Sequence, residues 1–414
     1  NRDNQGLSLL GNSMGELPYF IEVAHALEIC KKTTLQTTVE RVPLNQSHNR
    51  ILAVDLPSLV DDPPFDNSAM DGFAMRYEDT IDVPAKLEVI GTIQAAGQED
   101  NITVGKGQAV RIMTGAPIPS GADSILQVEL TSTENNTVTL QQESMKHFIR
   151  KKGENLSKGE VALEAGTYLT PSRVGLCATM GHSSIPVVKR LKVAIISTGD
   201  ELKQPGEELE RGQIYESNSF GLSGLVNWLG HEPTRLHCVG DTIEDLRETL
   251  NKASSEHDLI LTSGGVSMGD WDLVRKIMEE EGDLHFWRVK LRPGSPPLFG
   301  TWNNTPIFGL PGNPVSSHVV FRMLVAPWIR YSTRANGPIE NRAIAKLATK
   351  VKPTKDCLTL RRVSIEFTED GLEAHQRIHQ GSGNIASMAH SEGMVILQPG
   401  CDYSIGDSVE VMFL

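Results

Sequence analysis

The chain is predicted to be a multidomain α/β plus β protein: a central doubly wound α/β domain, an inserted β domain, a discontinuous entry domain and a small C-terminal β barrel. Three observations predict this. Its 414 residues are too many for one compact core, so two to four domains are expected. From Leu191 apolar strands alternate with helical segments, the pattern of a parallel sheet covered on both faces. Two other regions, 57–149 and 338–414, are rich in alternating strand residues punctuated by Gly, Pro and Asn.

The elements follow in order. Residues Glu16 to Lys32 repeat apolar positions at helical spacing, and TTLQTTVERVPL reads as extended, so 16–56 is taken as the first part of the entry domain. Pro57, Pro63 and Pro64 break regular structure before the β domain, where Glu134 to Thr137 reads as a hairpin turn. The charged stretch IRKKGENLSKG returns the chain to the entry domain, whose second part is 150–188. Within it Thr170 followed by Pro171 is an N-cap and first-turn pair for a helix up to Gly181.

The α/β domain, 189–331, should contain the strands VAIIS, TRLHCVG, DLILT, HFWRVKL and PIFGL. The helices SFGLSGLVNWLG, IEDLRETLNKA and LVRKIMEEE lie between them, and a last helix runs from LPGNP to about Ile329. YSTRANGPIEN reads as a linker. LRRVSIEF, the turn TEDG, GMVILQPG and DSVEVMFL then predict a small barrel or sandwich with no obvious catalytic cluster.

Composition excludes several classes of function. With 39 basic and 52 acidic residues the net charge is −13, which argues against nucleic acid or an anionic membrane as a partner. No apolar run approaches the roughly 18 residues of a membrane span, and no basic segment followed by an apolar core marks a signal peptide. Five cysteines, odd in number and never in a CxxC pair, read as reduced thiols. A cytoplasmic protein is expected.

In open α/β sheets ligands sit beyond the carboxyl ends of the strands, and the polar motifs of this domain lie at such ends. SGGVSMGDWD, Ser263 to Asp272, follows DLILT: Gly264 and Gly265 let the backbone turn, its N–H groups and Ser267 suit an oxyanion, and Asp270 and Asp272 suit a divalent cation. A plain βα turn with an acidic cap has the same residues. STGDEL offers Thr198, Gly199, Asp200 and Glu201, and GQIYESNS offers Ser217, Asn218 and Ser219. Asp241 in GDTIED is a candidate acid or a helix cap.

Arg288, Lys290 and Arg292 concentrate positive charge in an acidic chain, as an anionic substrate requires, or else mark a solvated strand face. Pro311, Gly312 and Asn313 of LPGNPVSS open the last helix. In the β domain, PPFDNSAMDGFAM supplies Asp66 and Asp71, and RIMTGAPIP supplies Thr114.

These motifs, PPFDNSAMDGFAM, RIMTGAPIP, STGDEL with GQIYESNS, SGGVSMGDWD and GLPGNPVSS, occur in the order seen in the molybdopterin molybdenumtransferase family, MoeA and the gephyrin E domain. The resemblance spans nearly the whole chain. It implies a four-domain protomer with a MogA-like α/β domain, usually a homodimer, that inserts molybdate into adenylylated molybdopterin and releases AMP with the help of Mg2+. It further implies a MogA-like adenylyltransferase upstream and recipient molybdoenzymes downstream.

By motif, Asp71, Thr114, Glu201, Asp241 and Asp272 match catalytic positions, with Glu201 and Asp272 assigned to the cation and water and Asp241 to substrate positioning. Asp71 and Thr114 are expected to face the α/β domain of the partner protomer. Ser217, Asn218, Gly264, Gly265, Ser267, Arg288, Arg292, Ser295, Pro311, Gly312 and Asn313 are the expected substrate-binding positions. Molybdate and tungstate are both tetrahedral dianions of nearly equal size, and the motifs do not separate them.

One position departs from the family pattern: PGSP stands where PGKP is usual, so Ser295 replaces a Lys. That motivates a second reading, a catalytically weak pterin-binding or scaffold homologue. A third, an unrelated nucleotide hydrolase, requires activity on simple pyrophosphates without pterin.

Overall fold

The computed structural model describes residues 17–95, 102–237, 242–266, 272–337 and 340–414. They form two compact units, one of residues 1–40, 49–51 and 188–414, the other of 41–48 and 52–187.

The first unit is built on a seven-stranded sheet. Its strands are β1 (Tyr19–Ile21), β2 (Lys192–Ser197), β3 (Glu232–His237), β4 (Leu259–Ser263), β5 (Asp283–Val289), β6 (Leu298–Trp302) and β7 (Thr305–Leu310). They stand in the order β1-β5-β6-β7-β4-β2-β3. The helices that matter for the site are α1 (Val23–Lys31), α2 (Asn218–Trp228), α3 (Ile243–Glu256), α4 (Leu273–Glu280) and α5 (Pro314–Val320).

The near-continuous apolar runs of β2 and β4 are explained by cover on both faces. Val193 and Ile195 pack with Leu222 and Val226 of α2 and Val315 and Val319 of α5. Ala194 and Ile196, pointing the other way, pack with Leu246 and Leu250 of α3 and Val274 and Ile277 of α4. Each fully buried Ile or Leu in these layers contributes about 1.5–3 kcal/mol.

The sheet is mixed, not wholly parallel. β2, β3, β4 and β7 pair in parallel, whereas β6 is antiparallel to both β5 and β7. The cause is the tight turn at Asn303 and Asn304, both at positive φ (47° and 66°), which joins β6 to β7 as a hairpin too short for a crossover. The helical pattern expected from Glu16 begins only at Val23. Tyr19–Ile21 is instead an edge strand in register with Trp287 and Val289 of β5.

The expected last helix is interrupted. After α5 the chain widens into a π-type turn over Phe321–Val325 before helix resumes at Ala326–Ser332. Pro327 enters in the first turn of that resumed helix, where its missing N–H costs least.

The C-terminal segments close into a barrel. Strands Leu358–Thr368, Gly371–His375, Arg342–Leu347, Ser408–Phe413 and Gly393–Leu397 pair in that order, and the last returns to the first, leaving no open edge in the ring. Leu291–Arg292 adds a short strand beside Leu358 and Thr359.

The second unit holds a six-stranded sheet, Ser124–Gln127, Gly72–Met75, Gln108–Ile112, Ala85–Ile93, Thr137–Leu140 and Thr131–Glu134 in spatial order. Glu134 pairs with Thr137 across Asn135 at φ 52°, the expected hairpin. Gly72 is required because a Cβ there would collide with the Leu126 carbonyl. The helix Pro171–Thr179 begins after Thr170, but that hydroxyl caps nothing and lies 3.2 Å from Ser172 Oγ.

Cys30, Cys177 and Cys357 are buried free thiols and Cys401 is an exposed one; Cys238 lies outside the described residues. Among the described residues no helix is long and apolar enough to cross a membrane.

His231, 4% exposed, accepts a hydrogen bond on Nδ1 from the Leu191 N–H at 3.2 Å. Burial, with Arg190 and Arg50 nearby, pushes its pKa down to about 4. The unfolded chain therefore takes up this proton first, so stability is full above the ordinary histidine value and falls as pH drops from about 6.5 towards 4. Denaturant unfolding at pH 7 and pH 4 is expected to differ by about 3 kcal/mol from this group. A His231→Leu variant should lose that part of the slope; an unchanged slope would contradict the assignment.

Candidate active site

A cleft of ≈ 710 Å³ opens beyond the carboxyl ends of β2, β4 and β7. Its floor is made by the loops that follow these three strands, two of which need glycine. Gly264 and Gly265 turn at φ 98° and 66°, and a Cβ on Gly264 would stand 2.9 Å from both the carbonyl and the hydroxyl of Thr198. Gly264 donates its N–H to Leu310 at 3.0 Å, and Thr198 donates to Ser263 at 3.1 Å, which lashes the loops after β7, β4 and β2 together.

Asn218, at the start of α2, ties the same three elements. Its Nδ2 donates to Ser263 Oγ and to the Gly312 carbonyl, both at 2.7 Å. Ser217 precedes it as the N-cap residue, and both line the cleft with Pro311, Gly312 and Asn313.

Two expected acids reach this cleft. Glu201 follows Gly199, whose φ of 145° folds the carboxylate back so closely that a Cβ on Gly199 would lie 2.7 Å from it. Asp272 enters at the head of α4, where its side chain makes no capping hydrogen bond. Asp241, Ser267 and Asp270 lie outside the described residues.

A third acid, Glu216, was not singled out from the sequence. It is 4% exposed and accepts from Ser197 Oγ at 3.0 Å and from Ser219 N and Oγ at 2.7 and 2.6 Å. Arg235 completes the group, donating to Ser219 Oγ at 2.6 Å with its guanidinium 3.5 Å from the Phe220 ring centre. The only trace of it in the sequence is an acid set directly before the hydroxyls of ESNS.

The C-terminal barrel also contributes, through Gly383 and Ile385, although its sequence suggested no such part. Arg362 and Gln380 fix that loop. Arg362, 2% exposed, donates to the carbonyls of His379 and Gly381 at 3.2 and 3.1 Å, while its backbone and the Gln380 side chain exchange two bonds of 2.9 Å. Asn313 then donates to Ser382 Oγ at 3.0 Å, joining loop to cleft.

Arg288, Arg292 and Ser295 do not line the cleft. Arg288, at φ 66°, turns to the hydroxyl of Tyr19 at 2.7 Å, and neighbouring Lys290 pairs with Glu22 at 2.8 Å. Arg292 lies on the barrel-side strand beside Cys357. Ser295 is 2% exposed and donates to the Val289 carbonyl at 3.2 Å, leaving Pro296 to face the cleft.

In the other unit, Asp71 and Thr114 form a pair. Asp71 accepts from the Thr114 backbone N–H at 2.6 Å and its hydroxyl at 2.7 Å, and these bonds hold the carboxyl below its usual range and so ionised at neutral pH. Asp66 is engaged separately by Lys151 at 2.8 Å and the Lys152 N–H at 2.8 Å.

Among the described residues no three His, Cys, Asp or Glu side chains are grouped to cage a metal. Glu201 and Asp272, with several hydroxyls on the same cleft, nonetheless fit Mg2+, which is commonly held by one or two carboxylates together with substrate phosphates.

Three family profiles match consecutive parts of the chain. They are described as "MoeA N-terminal region (domain I and II)" over 21–181, "Probable molybdopterin binding domain" over 194–331 and "MoeA C-terminal region (domain IV)" over 344–414. The molybdopterin molybdenumtransferase of Haemophilus influenzae is 36% identical over 382 residues, 91% of this chain and 94% of that protein. The chain belongs to the molybdopterin molybdenumtransferase (MoeA) family.

Other MoeA-family proteins agree. The Bacillus subtilis molybdopterin molybdenumtransferase is 34% identical over 390 residues, 92% of this chain and 90% of that one. A crystal structure of the molybdopterin biosynthesis MoeA protein from Pyrococcus horikoshii OT3 superposes with a TM-score of 0.81 at 28% identity, covering 95% of this chain and 100% of that one. MoeA-family proteins are transferases of molybdenum cofactor biosynthesis, and most of the cleft described above, all but Gly383 and Ile385, lies in the part matched by the molybdopterin-binding profile.

Proposed function

We propose that this chain is a molybdenum insertase: it binds adenylylated molybdopterin, places molybdate at the dithiolene and releases AMP in a Mg2+-dependent step. The observation that carries this reading is the placement of Glu201 and Asp272 on one cleft whose floor includes the glycine turn at Gly264 and Gly265. Such a turn leaves room for a phosphate to approach, and the acids supply the negative charge that a cation and an attacking water require.

Bound Mg2+ would neutralise charge developing on the pyrophosphate oxygens. Glu201 and Asp272 hold it and orient water, Asn218 and Ser217 position the phosphate side, and Gly264 and Gly265 leave room for it. Asp241 and Ser267 keep their assigned parts in substrate positioning. Asp71 and Thr114 are assigned to the same reaction, contributed by the second protomer of a homodimer. A MogA-like adenylyltransferase supplies the substrate and molybdoenzymes receive the product.

Single-turnover release of AMP from adenylylated molybdopterin by the purified chain tests this, with Mg2+ and with or without molybdate. Release that requires both is the expected result. Release indifferent to molybdate would rule out coupled insertion, and tight binding without release would favour the scaffold reading.

A further inference from the structure

The buried acid Glu216 and its partners have no part in the chemistry assigned above, yet they grip both ends of the loop that carries Glu201. Before the loop, Ser197 at the end of β2 donates its hydroxyl to Glu216 Oε1 at 3.0 Å. After it, Gln204 Oε1 accepts from Arg235 Nη2 at 3.0 Å. The two grips form one assembly: Arg235 Nε donates to Ser219 Oγ at 2.6 Å, and that hydroxyl donates in turn to Glu216 Oε2, also at 2.6 Å. The Ser219 N–H donates to Glu216 Oε1 at 2.7 Å, which anchors the carboxyl to the first turn of α2. The Phe220 ring, 3.5 Å from the guanidinium, fixes its plane.

The loop needs such a clamp. Gly199 leaves its backbone conformationally permissive, and Glu201 itself is exposed. A cavity of ≈ 80 Å³ lies against the loop, lined by Gly199, Leu202 and Gln204 together with Glu216, Arg235 and Leu236, so close packing does not support it on that side. Backbone bonds from Ile214 N–H to the Glu201 carbonyl at 2.9 Å and from Glu216 N–H to the Lys203 carbonyl at 2.8 Å tie its second half to the strand Ile214–Tyr215. Only the side-chain assembly joins Gln204 to Ser197 across the open side. Arg235 does not line the cleft, so it acts on anything bound there through other residues. A small divalent cation demands near-ideal ligand geometry, which a carboxylate supplies when its supports are locked.

We propose that Arg235, Glu216 and Gln204 are positioning residues that set Glu201 for its cation. The proposal rests on the insertase reading, in which Glu201 holds Mg2+. Arg235 suits the task because its rigid fork sends Nε to Ser219 and Nη2 to Gln204 at a fixed angle. Glu216 holds the Ser197 end of the loop and Arg235 the Gln204 end, and Ser219 transmits between them.

Titration of the full chain with Mn2+ in the presence of AMP, reading free Mn2+ by electron paramagnetic resonance, tests this without reference to turnover. Arg235→Met removes both arms of the fork. Gln204→Leu removes only the far grip and leaves the bonds of Glu216 intact, and Gln204→Glu restores an acceptor for Arg235. Mn2+ affinity should fall roughly 10–100-fold in Arg235→Met and Gln204→Leu and stay within about threefold of the unmodified chain in Gln204→Glu. The urea unfolding midpoint of Gln204→Leu should stay near that of the unmodified chain, because the side chain is only half-buried. In a Glu201→Gln background Arg235→Met should cost no further affinity, since the carboxylate it positions is already gone. Unchanged Mn2+ affinity in Arg235→Met, or the same loss in both backgrounds, overturns the proposal. Affinity lowered by Glu201→Gln but not by Arg235→Met removes only the clamp, whereas affinity indifferent to Glu201→Gln removes the cation assignment and the clamp with it.

Discussion

Glu201→Gln is expected to lower single-turnover AMP release by roughly 10²–10³-fold, the range seen when one preorganised electrostatic or acid–base group is removed. The substitution keeps the shape of a side chain folded tightly over Gly199 and removes only its charge. Unfolding midpoints should therefore stay close to those of the unmodified protein. The Mg2+ concentration giving half-maximal rate should rise, because one of the two carboxylates assigned to the cation is gone. Asp272→Asn should fall in the same range, and, with both acids lining one cleft, the double variant should lose much less than the product. A Glu201→Gln rate within threefold of the unmodified chain would move the chemistry elsewhere.

The largest effect on stability is expected from Glu340→Ala, about 3–5 kcal/mol, because it strands a buried guanidinium. Arg322 and Glu340 are 6% and 5% exposed and meet at 3.0 Å. Burial raises the Glu340 carboxyl and lowers the Arg322 guanidinium from their ordinary values in spite of their mutual attraction, so desolvation dominates both. The pair is then worth little compared with an apolar replacement, while either half alone is costly. Arg322→Met combined with Glu340→Leu should recover most of the lost stability in urea unfolding. A single variant within 1 kcal/mol of the unmodified protein would show that water reaches the pair.

Much of this architecture is legible from period and punctuation. β2 and β4 read as buried strands because runs of four and three consecutive apolar residues leave no polar face for water, and Gly264 and Gly265 announce a turn that other residues make only with strain. What failed to register depended on tertiary partners. β6 carries no distinguishing signal in the sequence, since the antiparallel return is decided by two asparagines at positive φ. Arg288 and Lys290 looked like a substrate patch, but the edge strand β1 brings Tyr19 and Glu22 to meet them. Glu216 is silent in sequence because its significance lies in four long-range or turn-made bonds, and Gly383 gains its place only through Arg362 and Asn313.

The loop around Gly383 also sets an order of events in the making of the protein. A ribosome releases the strands of the sheet, the glycine turns and both cleft acids before it reaches the barrel. Until Arg362 has a loop to grip and the strand Ser408–Phe413 closes the ring, one wall of the reaction chamber is missing. A nascent chain can thus fold most of its scaffold early yet complete the cleft only late in translation.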